Sequence, residues 1–564
     1  MNKLKVAFLV DESKVDYYIA DLISYVEDSD LFFSPILILG AHSESGGKIG
    51  NKAKKLFSPN LFKMADKIVQ IILYKLIRKI ELKQVQRRFE NYGKVINLDE
   101  IKQFERIEVE GDWSKSKISL RFTADDIEKI KSYELDCIIR CGTGILKGEV
   151  LSVPKYGVLS LHNGDNRKNR GGPNGFWEVL NNEPSSGFII QKLNEELDGG
   201  EVLVRGNLMT KAFWLQNSAQ LHEKSNYFFK KLLKHIANHK SLPLSEGPRL
   251  HDKELLRFKS CIPLLKYIAK VLLPRVGMKV TSFFMGAKIG RWGIAYSRHG
   301  GFSKSLWRYN EIENPVGRFL ADPFVIKKNE KHYIFVEDYF YSEGKGKISA
   351  IQVDDKGYEF LGVVLEEPFH LSFPFTFEVD GEIYMIPETS QNKDIRLYKC
   401  LDFPMKWALD RVIMDNVSAG DTMVVKRQDK WFMLTNICSA GYGEKQSELH
   451  AFFANDFKTN DWQPIGQGNP VMIDSESARN GGFFYHNGTF YRINQIHGKD
   501  HYGKSFGVNE VTELNVNTYT EKRVSNINSD FLKGIDSTHH FNANDEFAVV
   551  DYCRFMRVNK CMKT

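Results

Sequence analysis

Cysteine and long apolar runs are both scarce in this chain, and each shortage excludes something. Seven cysteines in 564 residues (137, 141, 261, 400, 438, 553 and 561) are odd in number and scattered, with no C-x-x-C pair. That spacing excludes a disulfide framework and a thiolate zinc site, and it fits the reduced thiols of a cytoplasmic protein. No metal is expected. The most apolar stretch, 68–80, is interrupted by Gln70, Lys75, Arg78 and Lys79. It is too short and too charged to cross a bilayer. The amino terminus, MNKLKVAFLVDES, runs straight into a first strand, so no leader peptide is expected. Charge of one sign is not abundant either, since 78 Lys and Arg stand against 71 Asp and Glu. With 42% hydrophobic and 26% charged residues, disordered and collagen-like chains are excluded. At roughly 150 residues per domain, the length suggests about three to four domains.

The charge is unevenly placed. Residues 48–90 hold twelve Lys and Arg against three Asp and Glu, and residues 253–291 hold nine against one. Both stretches have helical apolar spacing. In 58–90, Leu61, Ala65, Ile68, Ile72, Leu76 and Ile80 form a stripe, with Lys63, Lys67 and Arg78 on the other side. A basic amphipathic helix binds anionic membrane surfaces through both its lipid-facing apolar area and its charge. A peripheral position on the inner face of a membrane is therefore one expectation, and a packed helix with a solvated basic face is the other. Neither stretch has the interleaved aromatics of a base-stacking surface, so no nucleic acid is expected.

Around these stretches the first 206 residues alternate strand and helix. KVAFLV (5–10), PILILG (35–40), LDCIIRCG (135–142) and GVLSLH (157–162) are short continuous apolar runs separated by helical patterns. They predict a Rossmann-type parallel α/β sheet with ligands at the carboxyl ends of its strands. Residues 213–240 and 254–274 read as helices. From about 290 the chain becomes all-β and repeats itself: ADPFVIKKNEKHYIFVED (321–338), FPFTFEVDGEIYMIPET (373–389), GDTMVVKRQDKWFMLTN (420–436), RNGGFFYHNGTFYRINQ (479–495) and DSTHHFNANDEFAVVDY (536–552). Each is a strand, a polar turn and a second strand, spaced by roughly 50–60 residues, enough for a four-stranded blade. The predicted organisation is an α/β domain over 1–210 carrying the basic helix, a helical linker over 211–289, and a five-bladed β-propeller over 290–564.

In the first domain a strand ends at His162 and runs into a glycine-rich loop, and Asp198 sits in a later DGG turn. The pair reads either as a general acid–base couple at one cleft or as a loop cap and a turn carboxylate. The surrounding stretch, 157–206, resembles the catalytic domain of the folate-dependent formyltransferases. The resemblance is carried by Ser160-Leu161-His162, Arg170-Gly171-Gly172-Pro173, Trp177, Ser186-Gly187-Phe188-Ile189-Ile190 and Asp198-Gly199-Gly200, with LDCIIRCGTGILKGEVLSVPKYG (135–157) as the lead-in. It covers residues 120–210 and implies transfer of a formyl group from 10-formyltetrahydrofolate to an amine. His162 and Asp198 match the family's catalytic pair. The family's asparagine is replaced by Ser160, with Asn163 and Asn166 nearby as substitutes. The folate contacts would fall on Gly142, Gly144, Ile145, Leu146 and Gly199. No tRNA-binding barrel follows, so the expected acceptor is an amino sugar, nucleotide-linked or lipid-linked.

The propeller resembles the N-terminal domain of plant glucosamine inositolphosphorylceramide transferases and, more distantly, arabinanase-type hydrolases. The hydrolase resemblance implies a general base at Asp322. The second-blade position that would supply another carboxylate reads as Pro374. Inner-strand starts converge on a propeller's channel, presenting Asp322, Asp421, Arg479 and His540, with Glu337 and Glu388 after the second strands. Such a set suits sugar hydroxyls, and its alternative reading is turn capping. The expected function is amino-sugar formylation in surface-glycan biosynthesis, with a glycan-binding propeller. The alternative is a glycan-binding or glycan-processing propeller carrying a catalytically degenerate formyltransferase-like domain.

Overall fold

The computed structural model describes residues 3–39, 60–116, 118–196, 199–247, 249–251, 254–299, 305–441 and 444–557. The chain divides into two compact units, Met1–Gly206 with Thr210–Leu273, and Asn207–Met209 with Pro274–Thr564.

In the first unit, seven strands form one sheet: β1 (Val6–Leu9), β2 (Ile36–Leu39), β3 (Glu105–Glu108), β4 (Cys137–Arg140), β5 (Val158–His162), β6 (Ser185–Lys192) and β7 (Glu201–Met209). Their order is β7-β6-β5-β4-β1-β2-β3. β1 runs parallel to β2 and β4, β2 to β3, and β4 to β5, whereas β6 is antiparallel to β5. VAFL, ILIL and CIIR are buried throughout, as strands covered on both faces must be. The strand order reverses between β1 and β4, so the crevice at their carboxyl ends is the natural ligand position of such a sheet.

Helix α1 (Tyr17–Asp28) starts on Asp16, whose side chain accepts the Tyr18 N–H at 3.0 Å. Helices α2 (Asn60–Val85), α3 (Ala124–Lys131), α4 (Phe176–Asn181) and α5 (Trp214–His239) follow. The predicted linker 211–289 is not a separate body. α5 packs on α1, α2, α4 and β6, and α6 (Ile262–Tyr267) packs on α2 and α4. Of α7 (Leu273–Met285), all but the first residue belongs to the second unit.

The orientation of α2 departs from that of a packed apolar stripe with a solvated basic face. The stripe of Ala65, Ile68, Ile72, Leu76 and Ile80 faces outward, and the side chain of Leu61 lies outside the described residues. Asp66, Gln70, Tyr74, Ile77, Glu81 and Val85 face inward. Asp66 accepts the Cys261 N–H at 3.0 Å, Gln70 donates to the Phe258 carbonyl, and Glu81 accepts from Leu215 N and Tyr267 Oη at 2.8 and 2.6 Å. The covered side combines these polar bonds with Ile77 and Val85, which join the core of the first unit.

The second unit consists of five antiparallel sheets. Blade one comprises Arg318–Lys328, Lys331–Phe340, Lys345–Asp354 and Gly357–Leu365, and blade two Ser372–Val379, Glu382–Glu388, Ile395–Asp402 and Lys406–Met414. Blade three comprises Ala419–Arg427, Lys430–Ile437 and Glu448–Ala454, completed by the short pieces Gln463–Pro464 and Met472–Ile473. Blade four is Asn480–His486, Thr489–Gly498, His501–Leu514 and Tyr519–Asn528. The fifth is composite. Phe541–Ala543 and Ala548–Arg557 from the end of the chain pair with Lys288–Ser297, which in turn pairs with Asn310–Ile312. Ten residue pairs join 288–297 to 548–557. Inner strands of successive blades touch one another around the ring, and this closure leaves no blade a free inner edge.

Candidate functional sites

At the crevice of the first unit, Asp11 follows β1 and organises the loop after β4. Its carboxylate accepts from Thr143 N and Oγ1, both at 2.8 Å, and pairs with Arg140 Nη1 at 3.4 Å. A Cβ on Gly142 would collide with Asp11 and Arg140, and one on Gly144, whose φ is +81°, would meet the Trp113 ring at 2.5 Å. Both glycines are therefore required by close packing. Thr143 and Gly144 are exposed at the loop tip and Ile145 is half-buried, but Leu146 is a core residue beside Ile138 and Val158. Burial lifts the Cys141 thiol to about 12, so it stays protonated at neutral pH.

Ser160 lies on β5 opposite Arg140 of β4 and Gln191 of β6. His162 ends the strand with its ring against Gly164, where a Cβ would come to 2.7 Å from Nε2. The adjoining loop is stiffened by charge. Arg205 donates to Asp165 at 2.6 Å, to Asn166 Oδ1 at 3.0 Å and to both Glu246 oxygens at 2.7 Å. The Asn166 carboxamide oxygen is thus engaged by a buried ion-pair network, while Asn163 Nδ2 lies 3.3 Å from Nδ1 of His222. Burial lowers the pKa of His222. Further along, Leu256 brackets the R-G-G-P segment: its N–H donates to the Arg170 carbonyl and its own carbonyl accepts from Gly172 N. Trp177 Nε1 donates to the Gly172 carbonyl at 3.1 Å, which makes Trp177 an anchor for that loop. Asp198 lies outside the described residues. Gly199 is described, and its carbonyl accepts from Asn194 Nδ2 at 2.6 Å. Gly148 N donates to Glu195 at 3.0 Å, joining the Gly199 turn to the segment after Leu146. Asp11, Arg140, Asp165, Arg205 and His222 escape sequence reading because their partners are up to 132 residues away.

In the propeller, Asp322, Glu337, Glu388, Asp421 and Arg479 line one cavity of about 220 Å³, together with Trp292, His370, Tyr502 and His539. Two site assignments change. A bulge after Ala321, which pairs with Glu337, inserts Asp322 and Pro323 before the Phe324–Phe335 pair. The same register in blade two places Phe373, not Pro374, opposite Asp322, and blade three places Asp421 there. In the fifth blade the bulge turns His539 toward the cavity. His540 is fully buried against Phe324 and Phe373 instead, and burial drops its pKa to about 3. Asp322, Phe373 and Asp421 hold φ values of 50°, 44° and 47°, a left-handed conformation costly for such residues and typical of functional positions.

Charge in the cavity is sorted. Arg479 Nη2 donates to Asp421 Oδ1 at 2.9 Å and Glu388 Oε2 at 3.1 Å, and its Nε meets the other Asp421 oxygen. Burial opposes ionisation of Glu388, but Arg479 and Lys445 outweigh it and hold its pKa at about 2. Burial, then the charge of Asp322 and Glu388, raises Glu337 well above the carboxylate range. Glu337 thus favours its protonated form, and it lies 3.5 Å from His370. Burial pushes Asp322 up to about 6 despite His539, whose Nε2 lies 3.7 Å away. His539 is raised against its burial by Asp551, which its Nδ1 contacts, and it stacks on Trp292 at 4.0 Å. One cavity thus offers a carboxyl that favours its protonated form, an ionised acceptor in Glu388, a guanidinium and an indole face, a combination that suits a polyhydroxylated ring. Asp322, His539 and Asp551 also bring donor atoms within 4.8 Å of one another, close enough to share a cation. Trp292 and Tyr502 have no signal in the sequence, and the fifth-blade histidine of the cavity is His539, one position before the expected His540. Counting the bulge across the five repeats would have selected His539.

Residues 310–546 match the family described as glucosamine inositolphosphorylceramide transferase 1, N-terminal. The chain is 30% identical over 332 residues to glucosamine inositolphosphorylceramide transferase 1 of Arabidopsis thaliana, covering 51% of this chain and 43% of that protein. It is 26% identical over 214 residues to methionyl-tRNA formyltransferase of Bacillus subtilis, covering 38% of this chain and 64% of that protein. The chain thus spans less than two thirds of these relatives. Among solved structures, a GH62 α-L-arabinofuranosidase catalytic domain from Coprinopsis cinerea is 11% identical with a TM-score of 0.32, over 46% of this chain and 96% of that one. Glycinamide ribonucleotide transformylase 1 from Symbiobacterium toebii is 10% identical with a TM-score of 0.27, over 44% and 95%.

Proposed function

We propose that the first unit transfers a formyl group from 10-formyltetrahydrofolate to the amine of an amino sugar in glycan biosynthesis, and that the propeller holds the glycan. The observation that carries this reading is His162, against Gly164 at the carboxyl end of β5, one strand from the strand-order reversal, in a chain homologous to methionyl-tRNA formyltransferase. The accessible tip Gly142–Ile145 and the turn at Gly199 fit a donor lying along this edge, whereas Leu146 supports the loop from the core. The folate supplies the activated formyl group. His162 donates a hydrogen bond to the formyl oxygen as negative charge grows there. Asp198 takes part in removing the proton from the amine, and Ser160 offers a shorter donor where the family has asparagine. Incubation with 10-formyltetrahydrofolate and a panel of nucleotide-linked amino sugars tests the reading. A product heavier by one formyl group supports it, and no product with any acceptor opposes it.

A second reading has its own support: Ser160 stands where the family has asparagine, and the Nδ2 of nearby Asn163 lies 3.3 Å from His222 Nδ1, away from the role of a donor to the formyl carbonyl. On that reading the first unit is catalytically degenerate and the propeller cavity is the working site.

A further inference from the structure

Helix α2 is apolar on two sides, one buried in the core and one exposed. Its inward face joins the core through Ile77 and Val85 and uses its polar groups as well, as the bonds of Asp66, Gln70 and Glu81 show. Its outward face exposes Phe62 (88%), Ile68, Ile72 (58%), Leu76 and Ile80, while inward Ile77 is completely buried. From Phe62 to Ile80 the exposed stripe runs for about 27 Å at 1.5 Å per residue. Lys75, Lys79 and Lys83 run beside it, and Lys63 and Lys67 are exposed near its start. The only carboxylates of α2, Asp66 and Glu81, both point into the fold. On the neighbouring α6, Leu264 and Tyr267 are buried while Ile262, Leu265 and Lys266 are exposed. No helix among the described residues is long and apolar enough to cross a membrane.

We propose that the outer face of α2 docks peripherally on an anionic membrane surface, its apolar stripe entering the headgroup boundary and its lysines pairing with lipid phosphates. Charge selects this occupant over a second copy of the chain. A self-complementary contact through this face would bring the lysines of α2 against their own copies with no α2 carboxylate between them. An apolar protein partner would leave the same lysines uncompensated.

Sedimentation of the full chain with vesicles tests the proposal. Phosphatidylcholine vesicles containing about a third phosphatidylserine should carry the protein down at low salt, and pure phosphatidylcholine should not. Raising the salt should weaken binding through screening. Replacing three lysines (Lys75→Gln, Lys79→Gln, Lys83→Gln) should weaken binding on the order of a hundredfold, and Ile68→Asn with Ile72→Asn should do so at least tenfold. All five positions are exposed, and unchanged circular dichroism would show that the variants still fold. Absence of anionic-vesicle binding at low salt overturns the proposal, as does binding unmoved by both variants. A wild-type dimer in light scattering that Ile68→Asn/Ile72→Asn dissociates, in a chain that ignores vesicles, overturns it in favour of self-association.

Discussion

Replacing Arg479 by methionine isolates the electrostatics of the propeller cavity. Methionine keeps most of the side-chain volume and removes the guanidinium that bridges Asp421 and Glu388, leaving Lys445, 3.7 Å from Glu388, as the remaining cation. Glu388 stands at about 2 against an ordinary 4.5, a depression to which, against burial, Arg479 contributes most and Lys445 next, and at 1.36 kcal/mol per pH unit the whole is worth roughly 3 kcal/mol. Breaking a buried ion pair by removing one partner costs about 3–5 kcal/mol in general, so the two routes agree. Because the lowered pKa belongs to a carboxylate, its stabilisation is complete above the unfolded value near 4.5 and fades as pH falls toward 2. The difference between wild type and Arg479→Met should therefore be full at pH 7 and shrink progressively below pH 4.5. Hydrogen exchange read by mass spectrometry on peptides spanning 419–437 and 480–498 is a suitable assay, since it reports the propeller without requiring the whole chain to unfold in one step. Exchange of the most protected amides should accelerate on the order of a hundredfold at pH 7. Arg479→Lys, which keeps the charge and loses the two-pronged contact, should fall between. An acceleration below about threefold at pH 7, or a difference that does not shrink in acid, would refute the assignment of a destabilised carboxylate pair.

Three further outcomes follow from the two sites. His162→Ala and Asp198→Ala should each cut formyl transfer by orders of magnitude while Ser160→Ala costs less; steady-state kinetics in which both retain the full rate would remove the catalytic assignment. Asp322 is raised to about 6, mainly by burial, so its ionisation destabilises the fold as pH rises from 3.8 through 6. Asp322→Asn should accordingly raise the melting temperature at pH 7 to 8 and leave it unchanged below pH 4, and a melting temperature lowered at pH 8 would count against that origin of the shift. A fragment of residues 288–564 should fold alone as an all-β protein, whereas 299–564, lacking the strand that pairs with 548–557, should not. Circular dichroism and protease resistance distinguish the two, and equal stability would refute the composite blade.

The parts of the structure legible in sequence are those set by short-range pattern. Continuous apolar runs such as VAFL and CIIR mark strands covered on both faces, and the repeated strand–turn–strand units mark the blades. What the pattern hides is decided at a distance. The α2 stripe is visible as periodicity, yet which side of the helix meets the fold depends on Cys261, Leu215 and Tyr267, more than a hundred residues away. The choice of His539 over His540 turns on one extra residue in a bulge, which displaces a side chain without altering the apolar rhythm around it. The ion cluster of Glu388, Asp421 and Arg479 draws one member from each of three consecutive blades, so no local window contains it. Ser160 was conspicuous from the start because a single motif position differs; the engagement of Asn166 by Arg205 was not.

The composite fifth blade also orders events in time. Its first strand, 288–297, is translated about 250 residues before its partner, 548–557. At a synthesis rate of about 5–20 residues per second, that strand waits on the order of ten to fifty seconds for its mate. During that interval four blades can form, but the ring remains an open arc with two unpaired edges, the arrangement most prone to pairing with another chain. Strand 548–557 therefore acts as a latch, and a chain that lacked it would be left with its arc unsealed.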